Sequence, residues 1–211
     1  MIRKVKNILL FSGVMAVIVY VLHVVIGGIL WQGYSHLHQP ISDLTATGAP
    51  NRTFLLVLTS GYGLLALIFA ISFTILESKK HRKIVFWGGI SFILLHIVSI
   101  SYSFFPQDLP GTETTFKGMM HLVVTMLIVP LTIFTPLLIG FGFKKEKAWK
   151  TIGNFSLFCG IFIIIFGGMS GYFFANQLPY FGLVERLNIG TLQIWTFILS
   201  YKLTTSKYEN Q

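Results

Sequence analysis

Apolar positions fill this chain in six long stretches with little amphipathic rhythm: Ile8 to Trp31, Thr53 to Leu76, Ile84 to Phe105, Gly118 to Phe143, Thr151 to Ala175 and Val184 to Tyr201. About 20 apolar residues cross the hydrocarbon core of a bilayer as a helix, and each stretch meets or approaches that length. Backbone groups in hydrocarbon must be paired within a helix or a closed barrel. The expected fold is therefore all-α: a polytopic, six-transmembrane-helix bundle forming a single domain over residues 1–211. Pro130 and Pro136 are expected to break the fourth helix and offer a hinge, because proline lacks the N–H that the helical ladder needs.

Charge sorts the gaps between stretches. Arg3, Lys4 and Lys6 precede the first; Lys79, Lys80, Arg82 and Lys83 follow the second; Lys144, Lys145, Lys147 and Lys150 follow the fourth; Lys202 and Lys207 follow the sixth. The other gaps hold Arg52, Lys117 and Arg186 against Asp43, Asp108, Glu113 and Glu185. Lysine and arginine favour the cytoplasmic side, so an N-in/C-in topology is expected, in a bacterial cytoplasmic membrane. The basic start resembles a signal peptide, but no small-x-small cleavage site precedes Trp31, Tyr34 and His36, so the first stretch is read as a retained span.

Composition narrows the partners. Hydrophobic residues make up 54% of the chain and charged ones 11%, far from a soluble domain. The formal charge of +9 is spread over short connections, which suits anionic lipid and not nucleic acid. Cys159 is the single cysteine, which excludes an intramolecular disulfide and a cysteine-based metal site. Asn51-Arg52-Thr53 has the form of a glycosylation acceptor, read here as chance beside the membrane. Small residues in the second stretch (Ser60, Gly61, Gly63) and the fifth (Gly167, Gly168, Ser170, Gly171) suit close helix contacts, within the monomer or in a homo-oligomer.

Chemistry-bearing residues gather in the gaps poor in cations. The first holds Ser42 and Asp43 after Pro40, where an ordinary helix cap competes with a carboxylate facing the pocket between helices. The second holds Asp108 between Pro106 and Pro110; Lys117 and His121 follow on one helical face, which brings Asp108 and His121 close together. The third leads into Glu185, Arg186 and Asn188, read either as interfacial snorkelling or as an inward-facing pair.

Three segments, Gln39-Pro40-Ile41-Ser42-Asp43-Leu44 with Thr47 to Pro50, Phe105-Pro106-Gln107-Asp108 with Gly111 and Gly118 to His121, and Gly182-Leu183-Val184-Glu185-Arg186, resemble the six-span prokaryotic family known as domain of unknown function 998. The resemblance covers nearly the whole chain and implies Ser42, Asp43, Asp108, His121, Glu185 and Arg186 as the family's polar set. In span number the chain is also similar to membrane proteins linked to lipid handling.

Several functions fit this set. A metal-free hydrolase or transferase would use His121 as general base, Asp108 or Asp43 to orient it, and Ser42 or a water as nucleophile, with Glu185, Arg186 and Lys117 binding a lipid-like substrate and its phosphate. His23, His96 and His121 are three imidazoles in the outer halves of their spans and form a weak candidate zinc site, weak because no two share a helix at ligand spacing. A small-solute transporter needs a polar path, yet the inner halves hold little beyond Thr74, Ser156 and Ser200. An accessory subunit would use Asp43, Asp108, His121, Glu185 and Arg186 as an electrostatic latch. The leading expectation is recognition or processing of a lipid or other amphiphile at the extracytoplasmic side.

Overall fold

The computed structural model describes residues 2–206; Lys207 and the side chains of Arg3 and Lys4, counted above among the orienting cations, lie outside the described residues. Six long helices follow one another: α1 (Ile2–Leu30), α2 (Arg52–Ser78), α3 (Lys83–Ile100), α4 (Phe116–Phe143), α5 (Lys150–Ala175) and α6 (Phe181–Thr205). Short 3-10 turns add η1 (Ile41–Thr45), η2 (Ser101–Ser103) and η3 (Lys147–Trp149), and no strand occurs among the described residues. Five of the helices are long and apolar enough to cross a membrane. The sixth, α6, has comparable length at 25 residues, but Glu185, Arg186, Asn188 and Gln193 dilute its apolar character.

Each helix packs chiefly against its chain neighbours, and α6 returns to α1, so the six close into a ring. Alternating direction puts the α1–α2, α3–α4 and α5–α6 connections at one end, here the motif end, and the lysine-rich connections at the other, the basic end. Aromatic rings fill the ring from its middle to the basic end. Phe92 packs on Trp195 at 5.3 Å and on Phe69 at 5.7 Å, Phe69 on Phe73, Phe73 on Phe143, and Phe143 on Trp149 at 5.1 Å between centroids. These rings are essentially inaccessible.

Several polar residues of this half join helices. Ser200 Oγ donates to Leu10 O (2.6 Å) and accepts from Val14 N–H (3.0 Å), inserting α6 into the ladder of α1. Ser156 Oγ accepts from Trp195 Nε1 (2.8 Å), Ser91 meets Thr135 (2.9 Å), and Thr74 Oγ1 donates to Ala70 O. At the basic end Arg82 reaches Glu77 at 3.7 Å and Glu146 at 3.6 Å and lies over the Phe143 ring, joining two connections.

Two expectations need correction. Pro130 and Pro136 do not break α4, which runs unbroken from Phe116 to Phe143. Each proline forfeits one ladder bond, and the packing of α3 and α5 on either side of α4 holds the helix together. Within the monomer, the glycines of the second and fifth stretches mostly do not mediate close contact: a Cβ at Gly63, Gly168 or Gly171 would meet open space, and at Gly61 only an ordinary contact. Close approach falls elsewhere. A Cβ at Gly88 would stand 3.0 Å from Ile139 N, and one at Gly140 would stand 2.9 Å from Leu157 N. Backbone cannot rotate aside as a side chain can. Gly88→Ala and Gly140→Ala are thus expected to destabilise the detergent-solubilised protein by on the order of 1–3 kcal/mol, whereas Gly168→Ala should stay within about 0.5 kcal/mol. Thermal unfolding checks this, and equal effects at all three positions would contradict the assigned packing.

Candidate functional site: the motif end of the helix ring

The connection after α1 leaves the bundle at Leu30 and returns through η1, whose Ile41 and Leu44 are buried with Leu55 against Tyr20, Val24, Trp31, Tyr34, Leu58 and Ile189. The i, i+3 spacing of Ile41 and Leu44 puts both on one face of the 3-10 turn and into the bundle, which makes η1 a cover over α1, α2 and α6. Polar groups then fasten the cover from two sides.

On one side stands α6. Its first-turn N–H groups have no partner in their own helix, and those of Gly182 and Leu183 donate to His38 O (3.3 Å) and Leu37 O (3.0 Å). Tyr180 precedes them in the left-handed region at φ 68°, and Gly182 is required because a Cβ there would strike Gln39 O. Glu185 Oε2 accepts from Ile41 N–H at 2.6 Å. Arg186 Nη1 donates to Gln39 O and Gly182 O, both at 2.8 Å, and Nη2 donates to Tyr34 Oη at 2.6 Å. The Tyr34 hydroxyl passes its own proton to Pro40 O (2.7 Å). Burial pushes the Tyr34 hydroxyl up to about 12 against the charge and hydrogen bond of Arg186.

The α3–α4 connection fastens the other side. Gln107 Nε2 donates to Asp43 Oδ1 at 2.9 Å, the Ser42 hydroxyl donates to Gln107 Oε1, and Thr47 N–H donates to Gln107 O at 3.0 Å. One glutamine thereby binds both polar side chains and the backbone of the first connection. Asp43 itself is fully buried, and its Oδ2 has no hydrogen-bond partner among the described residues.

Asp108 and His121 are organised differently. Asp108 accepts from the N–H and hydroxyl of Thr115, both at 2.8 Å, and Thr115 Oγ1 accepts from Gly118 N–H at the start of α4. A Cβ at Gly118 would collide with the Asp108 carboxylate, so this glycine admits an anion where the helix dipole favours one. His121 Nδ1 lies 2.9 Å from Phe105 O; a carbonyl only accepts, so Nδ1 carries the proton and Nε2 of the neutral ring presents a lone pair. Tyr102 stacks beside it at 4.6 Å and bonds Thr125 through its hydroxyl. Asp108 lies close enough for its charge to act on His121, yet its hydrogen bonds go to Thr115. Lys117 is exposed.

Beneath the cover runs a polar layer that sequence reasoning assembled only in part. Tyr20 of α1 packs on Tyr62 of α2 at 4.9 Å and on His23 at 6.1 Å, Tyr62 meets His96 of α3 edge-on at 6.1 Å, and Gln193 Nε2 of α6 donates to Tyr62 Oη at 2.9 Å. Tyr20 is also within electrostatic reach of Glu185 and Arg186. His23 and His96, two of the candidate zinc ligands, belong to this layer, whereas His121 bonds the backbone of the α3–α4 connection. Among the described residues no group of three or more His, Cys, Asp and Glu side chains is placed to hold a metal ion. Tyr20, Tyr62 and Gln193 carry no motif signature; only their spacing on the buried stripes of three helices marks them.

This arrangement spans most of the chain, and so does the sequence match: residues 14–202 match the family described as protein of unknown function (DUF998). The chain belongs to that family. No curated protein and no solved structure matches it. In this DUF998 protein the motif residues of all three connections thus close one end of the helix ring.

Burial pushes the Asp43 carboxyl up to about 6 from an ordinary 3.8, with Gln39 and Arg186 opposing the rise. Its folded pKa is raised, so ionisation opposes folding: the contribution of this group is greatest at low pH and is lost as pH rises from about 4 towards 6. Asp43→Asn keeps an acceptor for Gln107 and cannot ionise. The stability difference between Asp43→Asn and wild type is expected to move in favour of the variant between pH 4 and 6 and then level off. A pH-independent difference in thermal midpoints would refute the buried, ionisable role of Asp43.

Proposed function

We propose that this DUF998 protein spans the membrane six times with both ends cytoplasmic and binds a lipid or other amphiphile from the extracytoplasmic side, at the motif end of its helix ring. One observation carries the reading: polar side chains are concentrated between the η1 cover and the midplane, while the half towards the basic end is packed with aromatic rings and its hydroxyls are spent on helix–helix bonds. A ring richer in uncommitted rings and hydroxyls in one half and filled by aromatic side chains in the other suits a receptor for a molecule entering from one leaflet better than a conduit.

Binding is favoured over turnover by the state of the proposed catalytic groups. The Ser42 hydroxyl faces Gln107, not a base, and the Asp108 hydrogen bonds go to Thr115, so His121 lacks an orienting carboxylate. Arg186 is committed to three oxygens of the protein. That leaves Lys117 as the exposed cation for a phosphate, beside the exposed Phe104, Phe116 and Met119 that an acyl chain can cover.

Photolabelling tests this reading. In liposomes doped with a diazirine-bearing phospholipid, cross-links should concentrate in peptides covering residues 100–126 and fall on Lys117→Glu. Uniform labelling of all six helices, unchanged by that substitution, would mean only surrounding lipid and would sink the proposal. For orientation, an impermeant maleimide added to intact cells should label a cysteine at Glu113 and spare one at Lys145, both in a Cys159→Ser background.

A further inference from the structure

His23 and His96 are 2% and 3% exposed, and among the described residues neither nitrogen of either ring has a hydrogen-bond partner. A neutral imidazole carries one N–H and one lone pair. Two such rings therefore leave two donors and two acceptors unpaired, in a setting where each unpaired group costs roughly 1–3 kcal/mol or more. Other interior groups are paired, as with Ser156 and Trp195 or Gln193 and Tyr62. Single atoms of Asp43, Ser170 and Arg186 and both carboxylate oxygens of Glu77 also lack a hydrogen bond, but only His23 and His96 share one layer of rings.

The two imidazoles sit in one layer of the ring. At 1.5 Å per residue, His23 is roughly 10 Å below the end of α1 at Leu30 and His96 roughly 6 Å below the end of α3 at Ile100. Tyr20 and Tyr62 bridge them in space. Tyr62 Oη accepts from Gln193, so its own proton remains available for a further acceptor. Above the layer lies the apolar underside of η1; below it Phe92 contacts His96 at 4.9 Å and begins the aromatic column. The layer has a lid and a floor.

We infer that Tyr20, His23, Tyr62, His96 and Gln193 form an internal binding site for an uncharged group that both donates and accepts hydrogen bonds, namely a hydroxyl. Charge is disfavoured because among the described residues no charged side chain acts on either imidazole, and Glu185 and Arg186, whose charges reach Tyr20, are already bonded to the η1 connection. A hydroxyl satisfies an imidazole lone pair as donor and a tyrosine or imidazole proton as acceptor. It can come from an amphiphile with an alcohol head or from water. The amphiphile source rests on the function proposed above, of which this site would be the deep end; the water source does not.

A long-chain alcohol bearing a diazirine beside its hydroxyl is the probe. In wild-type protein it should cross-link peptides of α1 and α3, and His23→Phe together with His96→Phe should reduce that yield about thirtyfold, the loss of two hydrogen bonds at roughly 1 kcal/mol each. Phospholipid labelling around Lys117 should be unaffected by these changes, which separates failure of this site from failure of the outer one. If the alcohol does not label, the water source predicts that ring N–H signals of 15N-histidine protein, read by NMR, vanish quickly on transfer to D2O. Both readouts use wild type and need no variant to fold. The inference is overturned if wild type shows neither labelling nor rapid exchange, the mark of imidazoles with nothing to bind.

Discussion

Lipid tails offer no hydrogen-bond partners, and this constraint decides what nearly every interior polar side chain does. Ser200 is placed inside the backbone ladder of α1, Ser156 under the Trp195 indole, and Ser91 against Thr135. Each pairing joins two helices, so the same bonds that satisfy polar atoms also set how the helices meet. Close approach does the rest: glycines 88, 140, 142, 153 and 160 lie where a methyl group would press on the neighbouring helix. Apolar side chains alone do not select one arrangement in a medium as apolar as themselves.

The same logic governs the connections. At the motif end the α6 N-terminus needs acceptors, and the carbonyls of Leu37, His38 and Gln39 supply them to Leu183, Gly182 and Arg186. Glu185 returns the favour by accepting from Ile41. At the basic end one guanidinium, Arg82, joins Glu77 to Glu146. Both ends carry charge-assisted contacts between segments distant in sequence, which add to the packing of α6 on α1 that closes the ring.

Much of this was legible in the sequence because hydrophobic length is a strong signal. The six stretches correspond to α1 to α6 within several residues, with the largest differences at the start of α1, where Arg3, Lys4 and Lys6 weaken the apolar pattern, and at the end of α3, where η2 takes over at Ser101. What the motif residues touch was not legible. Gln39 and Gln107 stand in the recognised segments, yet Gln39 bonds the backbone of Ser35, which has no residue signature, and Gln107 bonds Asp43 and Ser42 across some 64 residues of chain, which no local spacing shows. Asp108 and His121 share a predicted end, but nothing in their spacing shows that Thr115 takes the hydrogen bonds of the carboxylate and Phe105 O that of the imidazole. The intactness of α4 across two prolines likewise depends on neighbours, not on local sequence.

Function follows from where polarity is left unspent. The motif carboxylates and guanidinium bond chiefly to the protein's own groups, which makes them a frame; a frame is an expensive use of buried charge unless what it encloses matters. It encloses the layer in which His23 and His96 lack partners. Histidine is a poor choice for a purely structural position in hydrocarbon, since leucine or phenylalanine fills the volume without leaving donors and acceptors unpaired. The cover is latched to α6 and to the α3–α4 connection by separate sets of bonds, Glu185 and Arg186 on one side and Gln107 on the other. The two sides differ in kind: α6 holds the cover through the backbone of Gln39 and Ile41, whereas Gln107 holds it through the side chains of Ser42 and Asp43, and Arg52 of α2 adds a third tie at Thr45 O.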